Sequence, residues 1–132
     1  MTKQIHKITP ENLTYTIIQN ILENDIKLEL SEESKQLILK SKQFLDRKIS
    51  ESEKPIYGIN TGFGALCNIV ISNDELSKLQ ENLVISHACN IGPEVPGDVV
   101  KLMLLLKIHA LSKGNSAVQL ITVQRIIDLF NH

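Results

Sequence analysis

The sequence predicts an all-α fold with one or two very short strands. Most apolar residues recur at spacings of three and four, which is the period of a helix with one buried face. Two segments, Thr9-Pro10-Glu11 and Ser31-Glu32-Glu33, have the residue types that begin helices. Alternation of apolar and polar residues, typical of a strand, is clearest in IKLEL at residues 26–30. The chain is therefore predicted to be mainly helical.

Two helices are predicted in the first fifty residues. The first begins at Thr9-Pro10-Glu11, because a hydroxyl cap followed by proline favours a helix start, and it ends near Asn24. The second runs from Ser31 to about Ser50, with a charged face toward solvent. The apolar positions predicted to face the core are Leu13, Ile17, Ile18 and Ile21 in the first helix and Leu37, Ile38, Phe44, Leu45 and Ile49 in the second.

A third helix is predicted to follow a glycine-rich segment. Ser72-Asn73-Asp74-Glu75 has the pattern of a capping box, in which the serine and glutamate side chains bond the first amides of a helix. The breaker cluster at residues 90–93 ends this helix. One face of the helix carries Leu76, Leu79, Leu83 and His87.

The last two predicted helices follow Pro96. One covers residues 99–114 and is apolar on nearly every side, so we expect protein to cover most of its surface. Gly114 is expected to end it in the left-handed conformation. The other spans roughly Leu120 to Phe130. The whole chain, residues 1–132, is expected to form a single domain.

Charge and hydropathy exclude several classes of partner. Fourteen basic residues against fifteen acidic ones give a formal charge of −1, so neither nucleic acid nor an anionic membrane is expected to bind. The longest apolar run, Leu102–Leu106, is far shorter than the roughly 20 residues that cross a bilayer. The N-terminal segment lacks the apolar core of a signal peptide. A cytoplasmic protein with reduced Cys67 and Cys89 is therefore expected.

The glycine-rich segment, PIYGINTGFGALC at residues 55–67, places three glycines around Tyr57. Its GxxxGxG order, with no following lysine, does not match a phosphate-binding loop. One interpretation is a tight surface turn that needs positive φ. The other is a mobile loop that brings Tyr57 to a ligand. A phenol has a pKa near 10, so its deprotonation at neutral pH costs about 4 kcal/mol unless neighbouring groups help.

His87 is the second candidate for a functional residue. A single histidine on an apolar helix face is commonly a structural core residue, and His109 invites the same interpretation. Ser86 precedes His87, but adjacent helical side chains are expected to point apart, so a Ser–His nucleophile pair is not predicted. No HxxxH or HExxH pattern occurs, and no metal site is expected.

Three segments together resemble the N-terminal part of the aromatic amino acid ammonia-lyase family, closest to its histidine ammonia-lyase branch. The resemblance starts near Thr9 and continues to residue 132. The segments are YGINTGFG at 57–64, NLVISHACNIG at 82–92 and MLLLKIHALSKGNSAV at 103–118.

The resemblance implies an incomplete N-terminal domain of the helical ammonia-lyase fold and a carbon–nitrogen lyase activity. It implies non-oxidative elimination of ammonia from L-histidine to give urocanate, as in histidine catabolism. Tyr57 resembles the catalytic base on a lid whose hinges are glycines. His87 resembles the residue that selects the substrate, and Asn60 and Gly64 resemble substrate-binding positions. The family also implies a homotetramer in the cytoplasm.

One departure from the family limits what the chain can do alone. The family's electrophile, a methylidene-imidazolone (MIO) group, forms from an Ala-Ser-Gly triplet, and the 132 residues contain no such triplet. The chain alone is therefore expected to hold no cofactor and to be inactive. Two alternatives are a non-catalytic helical module that binds a lyase subunit or other partner, and a parent enzyme that acts on tyrosine or phenylalanine.

Overall fold

The structure, a computed structural model, describes residues 4–51, 56, 58–61 and 73–132. Within these residues it is mostly helical with two short strands, which confirms the predicted fold class. Tertiary contacts divide the chain into two units, Met1–Ser50 with Val95–His132 and Glu51–Glu94. The elements are β1 (Ile5–Ile8), α1 (Tyr15–Glu23), β2 (Lys27–Leu30), α2 (Glu32–Glu51), α3 (Asn73–His87), α4 (Gly97–Ser112) and α5 (Leu120–Asn131).

The two strands form a parallel pair in which Ile5 lies opposite Lys27 and Ile8 opposite Leu30. Strand β2 was predicted, whereas β1 was not. The segment before Thr9 is polar, and the partner that makes it a strand lies about twenty residues further along the chain. Ile8 at the end of β1 is completely buried in the apolar core. The sheet thus begins the core of the first unit.

The predicted start of the first helix at Thr9 was wrong, because α1 begins at Tyr15. Thr14 is its cap, with its Oγ1 accepting a hydrogen bond from the amide of Ile17 at 3.3 Å. The backbone before Thr14 is tied to α4 instead. Ser112 Oγ donates to the carbonyl of Thr9 at 3.3 Å, and His109 Nε2 lies 2.7 Å from the carbonyl oxygen of Glu11.

The side chain of Asn131 closes the outer edge of β2. Its Oδ1 accepts a hydrogen bond from the amide of Leu28 at 2.8 Å, and its Nδ2 donates to the carbonyl of Leu28 at 3.0 Å. Lys27 Nζ also donates to the backbone carbonyl of Asn131. One amide side chain therefore makes the two hydrogen bonds that a third strand would make at this residue.

The end of β1 is joined directly to the start of α2. The carbonyl of Ile8 accepts from the amide of Ser31 at 2.9 Å and from Ser34 Oγ at 3.1 Å. Ser31 Oγ accepts from the amide of Ser34 at 3.1 Å, so Ser31 caps the helix as predicted. Ser34 is fully buried, and its hydroxyl is satisfied by these bonds.

The core of the first unit is aliphatic apart from one aromatic ring, as the composition indicates. Ile38 is the buried residue of the apolar stripe predicted for α2, whereas Phe44 is 58% exposed and lies beside Arg47. The other buried apolar side chains come from both strands, from α1, α4 and α5, and from Ile26 just before β2. They are Ile8, Ile21, Ile26, Leu28, Leu30, Leu105, Ile108, Leu111, Val123, Ile127 and Phe130.

Helix α4 is buried on one side only. Its opposite side, which we call the α4 groove, encloses about 660 Å³ and has a single charged residue, Lys107, among its lining residues. Met103 is 61% exposed there and Leu106 45%. The lining residues are Val95, Val100, Met103, Leu104, Leu106, Lys107 and Ala110. The described helices include none long and apolar enough to span a membrane.

Gly114 ends α4 as predicted, with φ at +69°. A Cβ at this position would lie 2.6 Å from the carbonyl oxygen of Leu37, which belongs to the backbone of α2. Both the positive φ and this close approach require glycine. The contact fixes the distance between α2 and the end of α4.

Replacing Gly114 with alanine should therefore lower the free energy of unfolding by at least about 2 kcal/mol, because it combines left-handed strain with a backbone clash. Gly97→Ala is the matched control, since a Cβ there meets nothing within 4 Å, and it should change stability by less than about 1 kcal/mol. Urea unfolding followed by circular dichroism measures both. Equal effects of the two substitutions would contradict this assignment.

Asn131→Ala should lower the free energy of unfolding by about 1–3 kcal/mol, because it leaves the amide and carbonyl of Leu28 without their partner. The amide of Leu28 should also lose protection from hydrogen exchange. Gln124→Ala, which removes an exposed side-chain hydrogen bond to Asp128 on the same helix, should change stability by less than about 0.5 kcal/mol. Unchanged protection of Leu28 in Asn131→Ala would rule out the edge-closing role.

Candidate functional site

Two of the predicted site residues, Tyr57 and Gly64, lie outside the described residues. The part of the glycine-rich segment that is described comprises residues 56 and 58–61. Gly58 has φ at +74°, in the left-handed region that glycine favours. The backbone next to Tyr57 therefore does require glycine, as the sequence indicated. The roles of Tyr57 and Gly64 remain predictions.

Asn60 holds the described part of this segment in a tight turn. Its Oδ1 accepts a hydrogen bond from the amide of Ile56 at 2.6 Å. The carbonyl of Ile56 in turn accepts from the amides of Ile59 at 3.0 Å and Asn60 at 3.2 Å. Asn60 is only 5% exposed, and Thr61 beside it is fully buried. The Asn60 side chain thus has a structural function within the loop, and its contact with substrate stays a prediction.

At the end of α3, the side chains of Ser86 and His87 meet at one backbone carbonyl. His87 Nδ1 lies 2.8 Å from the carbonyl oxygen of Leu83, and Ser86 Oγ donates to the same oxygen at 2.9 Å. Ser86 Oγ and His87 Nδ1 are 3.0 Å apart. The prediction that these two side chains point apart was wrong, because both turn back toward the preceding helical turn.

This arrangement does not make Ser86 a nucleophile. A catalytic serine needs a histidine nitrogen that accepts its proton. Here Nδ1 faces a carbonyl oxygen, which only accepts, so Nδ1 is the donor. The His87 side chain is exposed rather than buried in a core. It is thus positioned as a surface group with one nitrogen bonded to its own helix.

Three further titratable residues, His6, Cys89 and His109, are described by the structure. His109 bonds to the carbonyl of Glu11, in agreement with its interpretation as a structural residue. Burial lowers the pKa of His6 in β1, which favours its neutral form. Cys89 is a free, exposed thiol. Across the residues that the structure describes, no group of three or more histidine, cysteine, aspartate or glutamate side chains is arranged to hold a metal ion.

Sequence comparison identifies histidine ammonia-lyases among the relatives of this chain. That of Legionella pneumophila is 46% identical over 125 residues, which cover 95% of this chain and 24% of that protein. That of Clostridium tetani is 40% identical over 124 residues, covering 94% of this chain and 24% of that protein. The chain thus spans about a quarter of the length of these relatives.

Structural comparison identifies a histidine ammonia-lyase and a tyrosine aminomutase among the similar solved structures. The histidine ammonia-lyase of Trypanosoma cruzi matches with a TM-score of 0.81 and 29% identity, over 97% of this chain and 25% of that one. The tyrosine aminomutase of Streptomyces globisporus matches with a TM-score of 0.84 and 28% identity, over 96% and 24%. The family model for aromatic amino acid lyases matches residues 13–132, which is nearly the entire chain. The chain therefore belongs to the aromatic amino acid lyase family.

Proposed function

We propose that this chain is the N-terminal part of an ammonia-lyase that converts L-histidine to urocanate and ammonia. The observation that carries the proposal is the 46% identity with a histidine ammonia-lyase over 95% of the chain. The exposed ring of His87 at the end of α3 supports it, because such a group is accessible to a substrate side chain. A cytoplasmic location and a homotetrameric assembly belong to the same proposal.

In this proposal Tyr57 is the base that removes a proton from the substrate. A tyrosine does this only where its phenolate is stabilised, since its ordinary pKa is near 10. Hydrogen-bond donors or positive charge close to its oxygen would provide that stabilisation. The turn held by Asn60, in which Gly58 has a positive φ, directly follows Tyr57 in the chain. Asn60 and Gly64 are proposed to contact the substrate, and His87 to select its side chain.

The electrophile does not come from these 132 residues. In the family an Ala-Ser-Gly triplet provides it, and this sequence has none, so the residues present do not fit the group. In a complete enzyme that group would supply the electrophile. The contribution of this chain is therefore limited to the base, the loop around it and the recognition of the substrate side chain. On its own the chain should not release urocanate.

The α4 groove favours a second candidate function, that of a non-catalytic helical module that binds a lyase subunit. The groove is apolar except for Lys107, and exposed apolar surfaces of this kind mark interfaces. The relatives are about four times as long as this chain, so they contain further polypeptide that could cover such a groove. Co-purification with an intact histidine ammonia-lyase would support this function, and a stable monomer that retains no subunit would contradict it.

The test of the lyase proposal is a chimera in which this chain replaces the matching N-terminal part of the Legionella pneumophila enzyme. The chimera should release urocanate from L-histidine, measured by ultraviolet absorbance, and the isolated chain should release none. Tyr57→Phe should lower kcat by about 10²- to 10⁴-fold, as expected for the loss of a general base. Tyr15→Phe is the matched control, because Tyr15 is 91% exposed, and it should leave kcat unchanged.

Besides an inactive chimera, two outcomes would refute the proposal. One is sustained urocanate release by the isolated chain, which would mean that the electrophile is not needed from elsewhere. The other is a fully active Tyr57→Phe chimera, which would remove Tyr57 from the reaction. A chimera that deaminates only tyrosine or phenylalanine would replace the substrate assignment and retain the lyase class.

The structural function of Asn60 gives a separate prediction on the isolated chain. Asn60→Ala removes the acceptor for the amide of Ile56, so hydrogen exchange at that amide should accelerate by about 10- to 100-fold, equivalent to roughly 1–3 kcal/mol. Asn60→Asp keeps an acceptor oxygen at the same place and should retain most of the protection. Equal exchange rates in the two variants would show that the side-chain oxygen does not hold the turn.

A further inference from the structure

We propose that Ser86 is a positioning residue, which together with the carbonyl of Leu83 fixes the tautomer of His87. In that tautomer Nδ1 carries the proton and Nε2 is a hydrogen-bond acceptor. The substrate side chain must then present an N–H or O–H donor to Nε2. The inference rests on the proposed function, because it deepens the role of His87 in selecting the substrate.

The hydrogen-bond donors and acceptors at the end of α3 favour this tautomer. The carbonyl of Leu83 only accepts, and Nδ1 lies 2.8 Å from its oxygen. A neutral ring with the proton on Nε2 would direct the Nδ1 lone pair at that oxygen, which is repulsive. Ser86 has one hydroxyl proton, which it donates to the same carbonyl at 2.9 Å. Its oxygen lone pairs then face Nδ1 at 3.0 Å and accept part of the Nδ1 hydrogen bond.

The second ring nitrogen of His87, Nε2, is accessible to a ligand. Among the residues that the structure describes, Nε2 of His87 has no hydrogen-bond partner, and the side chain is exposed. A neutral histidine protonated on Nδ1 has a lone pair on Nε2. That lone pair can bind a donor, whereas a second acceptor would leave both groups unsatisfied.

The chemistry of the ligand follows from this acceptor. The imidazole of histidine and the phenol of tyrosine each carry a donor at the far end of the side chain, and the ring of phenylalanine carries none. A site that hydrogen-bonds a donor rejects analogues that lack it, since the acceptor is left unpaired once the bound analogue excludes water from it. The side chain of the substrate is therefore a donor-bearing ring, and phenylalanine is discriminated against.

The tautomer is tested on the isolated chain by NMR with ¹⁵N-labelled histidine. At a pH where His87 is neutral, its Nδ1 should have a pyrrole-like ¹⁵N shift and its Nε2 a pyridine-like shift, with His87→Gln assigning the signals. Ser86→Ala should increase the fraction of the other tautomer, and Ser86→Thr, which retains a hydroxyl, should restore the original fraction. A ring with the proton on Nε2 in the unsubstituted chain would overturn the inference.

Recognition is tested on the chimera with L-histidine, L-tyrosine and L-phenylalanine. Ser86→Ala should raise KM for the donor-bearing substrate by about two- to tenfold at unchanged kcat, and Ser86→Thr should restore KM. Ser50→Ala is the matched control, because Ser50 Oγ also donates to the carbonyl three residues earlier, that of Arg47, at 2.8 Å. It should leave KM unchanged.

The outcomes separate this inference from the proposed function. An active chimera in which Ser86→Ala changes neither KM nor the preference over phenylalanine overturns the inference and leaves the lyase proposal standing. A chimera that deaminates phenylalanine with the same efficiency as histidine likewise overturns the inference and leaves the lyase proposal standing. A chimera inactive on all three amino acids refutes the proposed function and, with it, the assignment of a substrate to Nε2, whereas the NMR result still decides the tautomer.

Discussion

The pairing of β1 with β2 is the constraint on which the first unit depends. A two-stranded sheet is only marginally stable by itself, and a parallel pair requires cover on its faces. The helices α1, α4 and α5 supply apolar residues to the core around it. The amide side chain of Asn131 satisfies the outer edge at Leu28, across 103 residues of sequence. Residues from both ends of the chain thus complete one small sheet.

In each of the two units, one backbone carbonyl oxygen lies within hydrogen-bond distance of two side-chain or backbone donors outside the regular helix and sheet bonds. The carbonyl of Ile8 accepts two hydrogen bonds and joins the sheet to α2, and the carbonyl of Leu83 accepts from Ser86 and lies within hydrogen-bond distance of His87 Nδ1. The Ile8 carbonyl oxygen has two lone pairs, so it can accept both of its donors without leaving either unsatisfied. In the second unit, the carbonyl of Leu83 favours the proposed tautomer of His87, in which Nδ1 carries the proton.

The sequence predicted the parts of the structure that local patterns determine. Helices α2 and α5 follow from apolar periodicity, and the end of α4 follows from Gly114, which needs a positive φ. Strand β1 and the true start of α1 could not be predicted in this way, because they depend on β2 and α4, which are distant in sequence. At the site, His87 was recognised through the resemblance to the family. The contact with Ser86 was missed because helical geometry alone places adjacent side chains apart.

The role of Asn131 has a consequence for the order of events during synthesis. A nascent polypeptide leaves the ribosome with its N-terminal end first, so β1, α1 and β2 emerge long before residue 131 does. Throughout that interval the amide and carbonyl of Leu28 lack the partner that they have in the finished structure. An open strand edge is a template for pairing with other chains. The edge of β2 at Leu28 is therefore open from the emergence of the second strand until that of the fifth helix.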